Sequence, residues 1–307
     1  MYNQTTNTVV MIEPTQFGFN EEAAATNSFQ NKPGPAEKDF IQEAALIEFR
    51  NFVELLKSKG VSVVVFKDEE NSRTPDSIFP NNWFSTHRSG EFIIYPMAVS
   101  NRRKERRKKI IDRLTASNKY AKIDFAHFEG KNQYLEGTGS LIFDHDNQIV
   151  FAAESPRTHA NLVHLVSHKL GYTPIIFKAY GKEGELIYHT NVMMCVGRTF
   201  IAVGMDTIAE EDRILVESAI EKSGKQLIHL TNEQVYDSFA GNMLQIENNK
   251  EESVLVLSQT AFGSLTNKQI AMLGAHNNHI IPVSIPIIER IGGGSARCML
   301  AELFSFK

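Results

Sequence analysis

A unit of strand hairpin, helix and short strand recurs along this chain, and a recurrence of that length leaves few folds open. The stretch NWFSTHRSGEFIIYPMAVSNRRKERRKKIIDRL reads as a strand, a turn at His87–Gly90, a second strand and a helix. GSLIFDHDNQIVFAAESPRTHANLVHLVSHKLG repeats it with a turn at Asp144–Asn147, and NVMMCVGRTFIAVGMDTIAEEDRILVESAIEKSG turns at Gly197–Arg198. NMLQIENNKEESVLVLSQTAFGSLTNKQIAMLG is a fourth copy. A fifth assembles from both chain ends: CMLAELF, then TVVMIEP, a polar stretch to Gln30 and a helix from Glu37 to Gly60. After each helix comes another apolar run: VSVVVF, KIDFAH, TPIIF, QLIHL and IIPVSI.

Hairpins alternating with amphipathic helices predict an α/β architecture. In the helix expected from Asn101, Ile110, Ile111 and Leu114 recur among charges at helical spacing. No single unit can bury both of its faces, so five units close most naturally into a ring, and a unit shared by both ends ties the termini down. No linker divides the chain, so residues 1–307 are expected to form one domain. With 307 residues, 42% of them hydrophobic, the chain can bury a sizeable core. A formal charge of −4 gives no electrostatic reason for a nucleic-acid partner. No apolar run approaches the ~20 residues of a membrane span, and the N-terminus lacks the basic start and apolar stretch of a secretory signal. The two cysteines are too few for a disulfide framework or a structural zinc site. A cytoplasmic, reduced protein is expected.

The polar residues that interrupt the apolar runs fall at equivalent places. Asn82 precedes the first hairpin, Glu136 the second, His189 and Asn191 the third, Asn242 the fourth and Cys298 the fifth. In a ring these positions converge on the axis at one end, as a small-molecule pocket requires. A lone cysteine is most often a small buried hydrophobe. Cys298, however, follows Gly292–Gly294, a loop suited to close approach of a ligand, and it is the candidate nucleophile. Cys195, embedded in VMMCVG, fits the core reading. LIYHTNVMMCVG reads as one strand with His189 and Asn191 on the same side. His164 and His168 have metal-compatible spacing but no H-E-x-x-H motif, and read as a structural helix face. Glu136 enters an apolar run, which is costly for an acid without a partner. The basic run NRRKERRKK, residues 101–109, reads as a solvated helix face rather than a nucleic-acid site, because no aromatics interleave it.

In that order the segments PDSIFPNNW, LEGTGS, YHTNVMM and GGGSARCM resemble the P-D-x-x-F, E-G-G-D, H-x-D and glycine-rich cysteine motifs of the guanidine-modifying (pentein) superfamily. That superfamily includes arginine deiminase, dimethylarginine dimethylaminohydrolase and the amidinotransferases, and the resemblance covers essentially the whole chain. It implies a five-bladed α/β propeller of ββαβ repeats with pseudo-five-fold symmetry. It also implies that Cys298 is the nucleophile, His189 the general acid/base and Glu136 the partner of substrate nitrogens. The arginine-processing members clamp the guanidinium with two aspartates, where this chain has Asn82 and Asn191; Gly139 or Ser140 stands where the E-G-x-x segment often carries Asp. A guanidinium buried without its carboxylates would be uncompensated, whereas asparagine offers a donor and an acceptor that suit a neutral ureide. The segments TQFGFN, ATNSFQ and PNNWFSTH further resemble the citrulline-utilisation hydrolases. The resemblance therefore implies hydrolysis of citrulline to ornithine, carbon dioxide and ammonia through a covalent intermediate on Cys298, without metal or organic cofactor. The alternatives are a guanidino-acting relative and a non-catalytic binding protein. Asp76 is a candidate for the substrate α-amino group or a side-chain nitrogen, and Asn242 for a further substrate contact. Arg297, Arg290, Arg102 and Arg157 are candidates for the substrate carboxylate, with Arg297 favoured by adjacency to Cys298. The expected partner is a small amino acid, with no nucleic acid and no membrane; a homodimer is compatible with the sequence.

Overall fold

The fifteen strands of the computed structural model, which describes residues 4–34, 37–70 and 72–305, fall into five three-stranded sheets. One sheet joins β1 (Thr8–Glu13) and β2 (Ser62–Lys67) to β15 (Ala301–Glu302), and a second holds β3 (Phe84–Thr86), β4 (Glu91–Ile94) and β5 (Ala121–Asp124). The third holds β6 (Ile142–Asp144), β7 (Ile149–Ala153) and β8 (Thr173–Phe177), and the fourth β9 (Met194–Val196), β10 (Phe200–Val203) and β11 (Gln226–His229). The last holds β12 (Leu244–Glu247), β13 (Ser253–Ser258) and β14 (His279–Val283). In every sheet the middle strand runs antiparallel to its hairpin partner and parallel to the strand beyond the helix. This is the ββαβ unit five times over, the expected α/β propeller.

The fifth unit is built from both ends of the chain, with Val9 opposite Glu302 and Val10 opposite Ala301. Its two-residue strand forms because Leu303 N–H also donates to Thr8 O, which extends the ladder by one bond. The inner strands β3, β6, β9 and β12 are buried along almost their whole length, whereas β2, β5 and β11 are mostly exposed or half-buried. Contacts of β15 with β3, of β6 with β9 and of β9 with β12 carry the inner strands round the ring.

The connecting helices are α1 (Lys38–Ser58), α2 (Lys108–Asn118), α3 (Ala160–Leu170), α4 (Glu210–Ser223) and α5 (Asn267–Ala275). Ile110, Ile111 and Leu114 are the buried stripe of α2, as their spacing predicts. The basic run behaves differently from its expectation. Asn101–Glu105 is a tight 3-10 turn and the α-helix starts only at Lys108. Arg102 is 2% exposed; Arg103 donates to Met97 O and Ala98 O, Arg106 pairs with Glu129, and Arg107 pairs with Asp68. The planar guanidinium matches carboxylates and carbonyls well enough to be drawn inside, while the lysines of the run stay in solvent. Among the described residues no helix is long and apolar enough to cross a membrane.

Candidate active site

Each inner strand is entered through a short turn, and these turns carry the polar residues that interrupt the repeats. They are Pro80–Asn82, Gly137–Ser140, Thr190–Val192 and Ala296–Met299, with Gly241–Asn242 in the same place before β12. Counting back from each inner strand, the third residue is Asn81, Gly139, Asn191, Gly241 or Cys298. The turn at 80–82 packs against both 137–140 and 296–299, and 137–140 packs against 190–192. Residues far apart in sequence therefore meet at one end of the ring. The expectation of a single strand through 186–197 is corrected here. Only Met194–Val196 is strand, and His189 caps a 3-10 turn closed by Val192 N–H to His189 O and Met193 N–H to Thr190 O.

His189 Nε2 lies 2.7 Å from Glu136 Oε2. Glu136 is fully buried and also accepts from Ala98 N–H at 3.0 Å and from Arg157 Nη1 at 3.4 Å. Burial opposes its charge, but the Arg157 guanidinium and the His189 hydrogen bond outweigh that and hold the carboxyl well below the usual range. An ionised carboxylate only accepts, so the His189 proton sits on Nε2 and the lone pair on Nδ1. Burial pushes the imidazole down to about 4 against the pull of Glu136, so at neutral pH it is a neutral base. Nδ1 faces Gly139, where a Cβ would stand 2.8 Å from it and 2.5 Å from Asn82 Nδ2. Only glycine lets these two groups share that space.

Cys298 is 4% exposed and receives two amide donors, Asn191 Nδ2 at 3.3 Å and Asn242 Nδ2 at 3.2 Å. Asn242, expected to contact substrate, instead spans the sulfur, Asn191 O and the Arg297 N–H. Asn82 Oδ1 accepts from Arg102 Nη1 at 2.8 Å. Because arginine has no acceptor, the amide orientation is fixed and Nδ2 must point the other way. That Nδ2 and Asn191 Oδ1 are buried without a partner among the described residues. Arg102 itself is gripped by Glu105 at 2.9 Å and lies 3.8 Å from Asp76. Burial raises the Asp76 carboxyl, against the opposing pull of Arg102 and of Asn20, whose Nδ2 is 2.7 Å away.

Arg297 departs from its expectation. Its guanidinium donates to Leu300 O and pairs with Glu302 at 3.1 Å, so it is spent within its own strand entry. Arg290 is likewise paired with Glu37. Arg157 is the arginine that borders His189 and Glu136, and it lies over the Tyr188 ring, 5.1 Å to the centroid. Ser140 serves the frame, accepting from Glu136 N–H and donating to Arg157 O. Cys195 is buried in the core, its thiol pushed up to about 12 by burial. His164 and His168 are exposed on α3, and no cluster of three or more metal-ligating side chains occurs among the described residues.

Three participants are not among the candidate site residues, although each lies in or overlaps a segment that carries the resemblance. Asn81, fully buried, has neither side-chain amide atom partnered; its place before β3, matching that of Asn191 and Cys298 before theirs, was the available signal. Tyr188 donates to Gly293 O at 2.7 Å and packs on the His189 ring. The segment from Asn20 to Gln30 covers the site: Asn20 and Gln30 reach Asp76, Thr26 reaches Arg157, and Asn27 reaches Gly293 O. It also walls a 300 Å³ cavity that ends at Tyr188.

Residues 13–305 match the family described as N,N dimethylarginine dimethylhydrolase, eukaryotic. None of the curated proteins searched matches the chain. Among solved structures, the N-terminal domain of ArgZ, described as a cyanobacterial arginine dihydrolase, superposes with a TM-score of 0.74 at 13% identity, over 97% of this chain and 98% of that one. AgrE in complex with L-arginine gives 0.76 at 12% identity, over 97% of this chain but 40% of AgrE. A dimethylarginine dimethylaminohydrolase variant, as an adduct with S-methyl-L-thiocitrulline, gives 0.64 at 17% identity, covering 98% of this chain and 100% of that one.

Proposed function

We propose, from the premise that this chain belongs to the N,N dimethylarginine dimethylhydrolase family and so to the guanidine-modifying superfamily, that it is a cysteine hydrolase of citrulline. One observation carries the choice of substrate. Arg102 holds Asn82 with its amide N–H facing the site, and Asn191 presents an unpartnered oxygen. A ureide supplies one oxygen acceptor for the first and an N–H donor for the second, whereas a guanidinium has no acceptor to offer Asn82. Sites that read hydrogen-bond polarity discriminate by roughly 10⁴ or more.

In the reaction, His189 Nδ1 takes the Cys298 proton and the thiolate adds to the ureido carbon. Collapse of that adduct breaks the bond from the ureido carbon to the side-chain nitrogen, which takes the proton from His189 and leaves as ornithine. A carbamoyl group remains on sulfur. Water, deprotonated by the same imidazole, displaces the sulfur as carbamate, which breaks down to carbon dioxide and ammonia. Glu136 keeps the imidazole in the tautomer this sequence needs and stabilises its charged form.

A guanidino substrate is the second reading. Three buried carboxylates, Asp76, Glu105 and Glu136, face two buried guanidiniums, Arg102 and Arg157, and a cationic substrate would neutralise the excess. Against it, burial pushes Glu105 up to about 7, so its charge is partly suppressed. Acid-quenched mixtures of the wild-type protein with citrulline carrying a labelled ureido carbon and, separately, with arginine labelled at the guanidino carbon separate the readings. We expect label on the Cys298 peptide. Label from arginine but none from citrulline would establish the guanidino reading instead.

A further inference from the structure

We infer that Asn242 is a catalytic residue that holds the Cys298 sulfur as an anion, rather than a contact for the substrate. Its amide cannot be turned over. Oδ1 accepts the Arg297 backbone N–H at 3.0 Å and Nδ2 donates to Asn191 O at 3.1 Å, and each partner works in one direction only. The second hydrogen of Nδ2 is thereby directed at Sγ, 3.2 Å away. Asn191 Nδ2 approaches the same sulfur at 3.3 Å. Two N–H donors converge on one atom, and donors that can only donate favour the charged acceptor, because hydrogen bonds to an ion are the stronger ones.

The placement follows from the ring. Asn242 stands at the entry to β12, between the unit carrying Asn191 and the unit carrying Cys298, and it bonds to both. Gly241 beside it is required, since a Cβ there would lie 2.5 Å from Val192 O and from Met193 C. The glycine lets the chain approach the 190–192 turn closely enough for the next residue to reach across. The arrangement suits a neutral substrate. A guanidinium would bring positive charge to the thiolate, but a ureide brings none, so fixed protein dipoles must supply the stabilisation. This last step rests on the citrulline reading, whereas the donor geometry does not. The same two donors would receive the sulfur again when carbamate leaves.

The Tyr188 phenol lies within electrostatic reach of the sulfur, Arg297, next in sequence, is turned to Glu302, and His189 is the proposed base. None of these residues is altered in the test. The measurement is the pH dependence of Cys298 alkylation by iodoacetamide, with the modified peptide identified by mass, in wild type, Asn242→Ala and Asn242→Asp. No substrate is present, so the result is independent of whether citrulline is turned over. We expect the half-maximal pH to move up in Asn242→Ala, cutting the rate at pH 7 by about tenfold, and further in Asn242→Asp, which sets an anionic oxygen against the sulfur. All three rates should converge at high pH, where ionisation no longer limits reaction. A rate lowered equally at every pH would mean lost access or packing and would overturn the inference, as would an unchanged profile. If both variants fail to fold, Asn242→Ser, which keeps a hydroxyl but shortens the reach, serves the same comparison.

Discussion

In the proposed reading, Asn82 and Arg102 together decide what the site can read. Asn82 sits where a carboxylate would accept from a cation, and Arg102 Nη1 at 2.8 Å turns the amide so that it donates instead. Asn82→Asp keeps the shape and the bond to Arg102 but replaces the donor with an acceptor. Citrulline kcat/KM should then fall by roughly 10²- to 10⁴-fold while the arginine-to-citrulline ratio rises. Steady-state turnover of both amino acids by the purified variant checks this, and an unchanged ratio would remove Asn82 from substrate recognition. The two asparagines stand out in the sequence where the resemblance implies aspartates. Their orientation is not legible there, because it depends on Arg102, which lies in a run that reads as a solvated helix face. Nothing local distinguishes Arg102 from Lys104; burial against Glu105 and Asp76 does.

At the level of elements, the short turns before the inner strands matter more than the strands. The sequence showed strand hairpins clearly, since alternation and turn residues mark them, but a three-residue 3-10 turn leaves no periodic trace. LIYHTNVMMCVG therefore reads as one strand, although the chain bends at Thr190–Val192 and brings His189 and Asn191 onto different partners, Glu136 and Cys298. The glycines in these turns are tests of the close packing. Gly139→Ala places a Cβ 2.5 Å from Asn82 Nδ2 and 2.8 Å from His189 Nδ1. Misplacing either group should lower kcat/KM by about 10²-fold or more. Circular dichroism and thermal melting would show the fold retained; full activity in a folded Gly139→Ala would contradict the geometry.

The whole molecule closes through its ends, and this was legible because CMLAELF and TVVMIEP lacked partners in their own neighbourhoods. What the sequence could not display is the interior on the β3–β6 side, where His87 and His145 are buried beside Phe143 and Tyr172. Burial pushes His87 down to about 3 and His145 well below its ordinary value. The unfolded chain titrates near pH 6.5, so below that it binds protons that the folded state refuses. The stability that His87 contributes is intact above pH 6.5 and lost as pH falls from there toward about 3, by about 1.4 kcal/mol per pH unit, and His145 acts in the same direction. Melting temperatures between pH 7 and 4 should fall more steeply in wild type than in His87→Gln, and parallel curves would contradict this. The ring as a whole exists to bring five strand entries to one point, and the claim about that point is chemical. Purified protein incubated with citrulline and, separately, with arginine, followed by ornithine and ammonia, tests it most directly. Ornithine and ammonia are expected from citrulline, lost in Cys298→Ala, with arginine turned over far more slowly; rapid arginine hydrolysis with citrulline inert would contradict the proposed function.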